Sequence, residues 1–97
     1  MEMTVIMDGL ITEIVQFGRI SGHTLKMQRM RTGLSQRALA DLIKKVTGSD
    51  QIILNGSVVS CSRGTIERME NDFPIEFYTD KTTALIIQKI LSNDKTA

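Results

Sequence analysis

Arg63, Gly64, Thr65 and Arg68 are the residues of this chain whose types and spacing best suit chemistry at a surface. A guanidinium fork matches the O6 and N7 acceptors of guanine bidentately, which makes arginine the commonest specific reader of that base. A reading helix needs such long donors at its start and one turn later, with glycine or short side chains where its backbone must come close to the nucleic acid. Further upstream, Lys26, Arg31, Arg37, Lys44 and Lys45 offer charge for phosphate contacts, which supply most of the affinity in such complexes. The whole chain carries a net charge of only +1, yet residues 19 to 45 hold seven basic residues against Asp41 alone. The positive charge is therefore confined to one segment. By itself a cluster of that kind is better described as a solvated helix face.

Other chemistries find little support. There is one histidine, His23, and one cysteine, Cys61, so neither a metal-binding spacing nor an internal disulfide can be assembled. No nucleophile, base and acid come together in the sequence, and the chain is expected to be neither an enzyme nor a cofactor protein. His23 reads as a surface or capping residue and Cys61 as a buried thiol. Asp8, Glu13 and Gln16 interrupt the apolar start of the chain well short of a membrane span, which leads to the expectation of a cytoplasmic protein without a membrane partner. At 97 residues, with 41% hydrophobic side chains, the chain suits a single domain. A domain this small buries a modest fraction of its surface, so association into a dimer is an expected supplement.

The elements that must position these residues can be read along the chain. From Asp8 to Phe17, Leu10, Ile11, Ile14 and Val15 fall on one helical stripe, with Asp8 and Gly18 placed as caps. The same stretch is rich in β-branched residues around Asp8-Gly9, which is also a hairpin signal. The helix is the favoured reading and the hairpin its alternative. Gly18 to Gly22 reads as a connector. Thr24 is placed to cap a helix running to about Thr32, ended by Gly33, and Ser35 to cap the next one. On that second helix Leu39, Ala40 and Ile43 face inward, while Arg37, Asp41 and Lys44 face outward. Gln51 to Leu54 and Ser57 to Ser60 then flank Asn55-Gly56, the pair favoured in a two-residue type I′ turn. Ser62 is placed to cap a third helix over residues 63 to 71, with Ile66 and Met69 inward. A last helix starts near Thr79 or Asp80. Its apolar positions, Ala84 to Ile87 with Ile90 and Leu91, exceed one core-facing stripe and are expected to pack partly on a partner subunit. Residues 93 to 97 are expected to fray.

The run Leu25-Lys26-Met27-Gln28-Arg29-Met30-Arg31-Thr32-Gly33-Leu34-Ser35-Gln36, then Leu39-Ala40, then Ser62-Arg63-Gly64-Thr65-Ile66-Glu67-Arg68-Met69-Glu70-Asn71, resembles the lambda-repressor/Cro-like (Xre) helix-turn-helix family. The resemblance implies a mainly α bundle and a sequence-specific DNA-binding transcriptional regulator, a dimeric repressor of double-stranded DNA sites. It places Arg63, Gly64 and Arg68 against bases, with Ser62 and Thr65 nearer the DNA backbone. It also implies that Gln36 holds a phosphate and braces the recognition helix, and that Arg29 and Glu70 form an ion pair tying the first helix to the end of the third. In the family pattern a tight turn follows Ile43. Here the sixteen residues Lys44 to Val59 intervene, so the expected architecture is one helix-turn-helix domain over 1–97 with an N-terminal extension (1–22) and an inserted hairpin (44–60) that projects as a wing. The insertion and the apolar terminal helices also fit a different class, a protein-interaction module such as an antitoxin or inhibitor built on the same fold.

Overall fold

The computed structural model describes residues 11–14 and 17–92. Its elements run β1 (Ile11–Ile14), β2 (Phe17–Ile20), α1 (Gly22–Thr32), α2 (Gln36–Thr47), β3 (Gln51–Leu54), β4 (Ser57–Ser60), α3 (Arg63–Asn71), β5 (Phe77–Asp80) and α4 (Lys81–Ser92). The strands form one antiparallel sheet in the order β1-β2-β5-β3-β4. The architecture is thus mixed α/β, a correction to the mainly α bundle expected from the sequence.

The helices begin and end where local chemistry directs. The Ser21 side chain accepts from the Thr24 N–H, so the cap of α1 lies three residues before the expected Thr24. Ser35 accepts from the Ala38 N–H and caps α2 as its sequence implies. Gly33 and Gly48 close these two helices in the left-handed conformation. Gly22, read as part of a connector, is the first residue of α1. A Cβ there would overlap the backbone carbonyls of Met69 and Phe73, so α1 sits against the end of α3 at a distance only glycine permits.

The larger differences lie in the β structure. Residues 11–14 are a strand, not the favoured helix, and β2 takes up Phe17 and the start of the expected connector, with Gly18 inside the strand instead of ending a helix. The helical stripe and the β-branched content pulled in opposite directions here. The deciding partner is distant in sequence: β2 pairs along its length with β5, Phe17 opposite Asp80 and Ile20 opposite Phe77. Within residues 17–22 Ile20 is fully buried and belongs to the core, while Phe17 stays exposed. Thr4 to Gly9 and residues 93–97 lie outside the described residues.

Lys44 to Thr47 likewise belong to α2, and the hairpin proper spans 51–60. Asn55 and Gly56 take φ of 50° and 88°, as the two-residue turn requires. The hairpin does not project as a wing, because β3 lies beside β5. Leu54 sits opposite Thr79, and the Asn55 N–H donates to the Tyr78 carbonyl at 2.8 Å. Asp80 ends β5 and caps α4 through the Thr83 N–H and hydroxyl, at 3.0 and 2.9 Å.

One continuous core joins the two parts. Ile20, Ile52, Leu54 and Phe77 come from the sheet; Leu25, Leu39, Ile43, Ile66, Met69, Ile87 and Leu91 come from the helices. Helix α4 contacts β1, β2 and β5 as well as α1 and α2. That position accounts for its surplus of apolar residues: Ile86 and Ile90 are half-buried within the same chain, leaving Leu85 exposed.

Candidate nucleic-acid interface

Helix α3 packs on α1 and α2 and has two unlike sides. Ile66, Met69, Thr65 and Glu70 are buried, while Arg63, Gly64, Glu67, Arg68 and Asn71 are exposed. Ile66 and Met69 fill the core at three-residue spacing, while Gly64 falls on the opposite side of the helix and Arg63 at the margin between the two.

Glu70 is the fixed point of the site. Arg29 reaches it from α1 with both Nε and Nη2, at 2.7 and 3.0 Å, and its remaining Nη1 donates to the Leu34 carbonyl at 2.8 Å. This is a fork-to-carboxylate bidentate pair, closed off from water on the Glu70 side. Gln36, the first residue of α2, donates from Nε2 to the same Glu70 Oε1 at 3.1 Å. Its other amide atom, Oε1, accepts from Arg63 Nη1 at 3.3 Å. Glu67 Oε1 accepts from that nitrogen as well, at 3.2 Å. An unbroken set of contacts therefore runs from the Leu34 carbonyl through Arg29, Glu70 and Gln36 to a half-exposed guanidinium at the start of α3. The structure brings Arg29, Gln36, Arg63 and Glu70 together; their sequence separations reach 41 residues.

The other expected residues distribute unevenly. Gly64 is open, since an added Cβ would have only the Ser62 Oγ near it, at 3.8 Å. Ser62 occupies the N-cap position of α3, but its side chain accepts no helix N–H, in contrast to the expected cap. The Ser62 carbonyl takes the Thr65 and Ile66 N–H groups, so the amides of Arg63 and Gly64 have no acceptor among the described residues. Thr65 does not lie on the outer surface. It is buried, and its hydroxyl donates to the Ser60 carbonyl at 2.6 Å, fastening the end of β4 to α3. Arg68 is half-exposed beside Asp72 at 3.8 Å, and Lys44 stands 3.7 Å from Asp41. Lys26, Arg31, Arg37 and Lys45 are exposed and make no ion pair among the described residues.

Glu67 is the residue that sequence reasoning passed over. It shares the exposed side of α3 with Arg63, and its position four residues on was the available signal. A carboxylate there can accept from the N4 amino group of cytosine, so the pair Arg63 and Glu67 carries both a donor and an acceptor for base edges.

Cys61 is buried where β4 meets α3. Its thiol contacts the Ala40 carbonyl at 3.5 Å and its N–H donates to the Asp50 carbonyl at 2.8 Å. Burial pushes the thiol pKa up, against a smaller opposing pull from Lys44, so the group stays protonated at neutral pH. His23 is exposed on α1. Among the described residues no three His, Cys, Asp or Glu side chains converge as a metal set, and no helix is long and apolar enough to cross a membrane.

No protein-family model matches the chain, and no curated protein or solved structure matches it either.

Proposed function

We propose that this chain is a sequence-specific DNA-binding regulator that enters the major groove with α3, on a scaffold whose helices are of lambda-repressor type. The observation that carries this reading is the placement of Arg63: a guanidinium at the exposed first turn of a helix, aimed by Gln36 from the start of α2, which is in turn anchored on a buried ion pair. Orienting a charged fork before binding lowers the ordering cost that a free arginine would meet on contact with a base. Gly64 lets the helix backbone approach, and the free amides of Arg63 and Gly64 can meet a phosphate at the positive end of the helix dipole. Arg63 and Arg68 read bases, with Glu67 as an acceptor. Lys26, Arg31, Arg37, Lys44 and Lys45 supply phosphate contacts whose strength falls steeply with salt.

Selection of bound sequences from a random duplex pool at low salt tests the reading. The expected result is one enriched motif, with Arg63→Ala relaxing preference at one base pair by about 1–3 kcal/mol and Lys44→Ala weakening all sequences alike. A pool that remains random after selection would overturn it.

A protein-binding role on the same scaffold has its own observation. An open groove is lined by Phe17, Asn55, Gly56, Glu76 and Tyr78, with Arg19 stacked 5.3 Å from the Tyr78 ring centre. Binding of a protein with little salt dependence, together with no retention of DNA, would favour that role.

A further inference from the structure

The exposed side of α3 is electrically balanced. Its two cations, Arg63 and Arg68, each have a carboxylate four residues on. Glu67 Oε1 lies 3.2 Å from Arg63 Nη1, and Asp72 Oδ2 lies 3.8 Å from Arg68 Nε. On α1 and α2, by contrast, Lys26, Arg31, Arg37 and Lys45 are exposed with no ion pair among the described residues. Attraction to phosphates is therefore concentrated on α1 and α2 and nearly cancelled on α3.

The contacts of Arg63 also have a direction. Both of its acceptors, Gln36 Oε1 and Glu67 Oε1, meet the same nitrogen, Nη1. Nε and Nη2 have no acceptor among the described residues. Those two N–H groups form one flat edge of the guanidinium, the edge that Arg29 presents to Glu70. It is an edge that can meet O6 and N7 of a guanine together. Glu67 thus stands beside the reading edge of Arg63 without occupying it.

A carboxylate accepts hydrogen bonds and has none to donate. In the major groove cytosine N4 and adenine N6 offer donors, whereas guanine O6 and thymine O4 offer acceptors. With Arg63 on a guanine, Glu67 at 3.2 Å from it falls against the same base pair or the next one.

We propose that Glu67 determines specificity by rejection: it lets Arg63 read only where the neighbouring base edge offers an amino group, and it disfavours every other placement of α3. The proposal rests on the DNA-binding reading above and extends it from the bases that are touched to the bases that are refused. Facing O4 or O6, the carboxylate loses its water and gains only another acceptor; facing a phosphate, it meets like charge. Paired with Glu67, Arg63 also adds little net charge to the release of counterions from random DNA. Non-specific binding is held down, and the ratio of specific to non-specific affinity rises.

Glu67→Gln is the informative variant, because the amide keeps the shape, still accepts from Arg63 and can also donate to O4 or O6. Selection from a random duplex pool, followed by salt titrations on random duplex, compares it with the wild type. The wild type should favour cytosine or adenine over guanine and thymine by about tenfold at one position, within one base pair of the position that Arg63→Ala relaxes. Glu67→Gln should lose that preference and bind random duplex about threefold more tightly, with a salt slope steeper by about one, at an unchanged far-ultraviolet circular dichroism spectrum. Should Glu67→Gln fail to fold, wild-type affinity for sites carrying each of the four bases at that position decides. A wild type indifferent to the base there, or a folded Glu67→Gln that keeps the wild-type preference or the wild-type affinity for random duplex, overturns the proposal and leaves the DNA-binding reading in place. A wild type that selects no motif at all overturns both.

Discussion

Helix α3 takes part in two Arg–Glu pairs, one with Arg29 of α1 and one within itself, in opposite surroundings. On its inner side the Arg29 and Glu70 side chains keep 10% and 0% of their exposure; on its outer side Arg63 and Glu67 keep 53% and 49%. The inner pair is bidentate and tied to Leu34 and Gln36, whereas the outer pair is a single contact at 3.2 Å. Coulomb attraction is not what separates them. Water already screens the outer pair, so its members can change partner at little cost; the inner pair has no alternative to its own hydrogen bonds. One side of the helix is thereby held and the other left available, which is what a helix that reads another molecule requires.

The largest break in that contrast should come from Arg29→Ala. It leaves a carboxylate buried without its cation, and a loss of about 3–5 kcal/mol is expected in urea denaturation. A loss of less than about 1 kcal/mol would mean that the pair does not hold α1 to α3. Gln36→Ala should come next, at about 1.5 kcal/mol, because it removes one hydrogen bond to a charged group from a half-buried site. It also releases Arg63, so any sequence preference in DNA binding should relax together with the stability. Arg63→Ala sharpens the comparison from the other side: its urea midpoint should imply a change of no more than about 0.5 kcal/mol, whatever it does to the proposed base preference. Equal stability losses for Arg29→Ala and Arg63→Ala would erase the distinction between the two sides.

The smallest effect concerns Cys61, buried next to the exposed Ser62. Its pKa is raised in the fold, so on raising pH the unfolded chain loses the thiol proton first. The stability present below the ordinary thiol pKa is then lost as pH climbs through the folded value. Urea midpoints measured from neutral to alkaline pH should show this decline in the wild type. Cys61→Ala should lack that component of it.

The helical part of the molecule was legible because its signals are local. Ser35, Gly33, the apolar spacing of Leu39, Ala40 and Ile43, and the Asn55-Gly56 turn each act within a few residues, and each appears in the structure at its expected place. The cap of α1 was misplaced by three residues because Ser21 and Thr24 both fit the role, and only the geometry shows Ser21 accepting from Thr24. Within the candidate site, the Arg29 and Glu70 contact was implied by family resemblance alone; nothing in their spacing of 41 residues points to it. The burial of Thr65 and the missing side-chain cap at Ser62 were not legible, since both follow from how the end of β4 meets α3.

Strands behave otherwise, because a strand satisfies its backbone only through a partner. β1 pairs with β2, and the distant partner of β2 is β5, some sixty residues further along, itself a four-residue segment after Pro74 with no strong pattern of its own. Residues 51–60 announced a hairpin but not the neighbour that β3 would find in β5. By itself the sequence determined four helices to within a few residues, the inward faces of α2 and α3, and one hairpin, since each of these closes its hydrogen bonds locally. Only the tertiary structure decided that residues 11–14 are strand and not helix, that α4 packs on the sheet and helices of its own molecule, and that β4 lies at the edge of the sheet. Those outcomes depend on which distant backbone groups meet, and no window of a few residues contains that information.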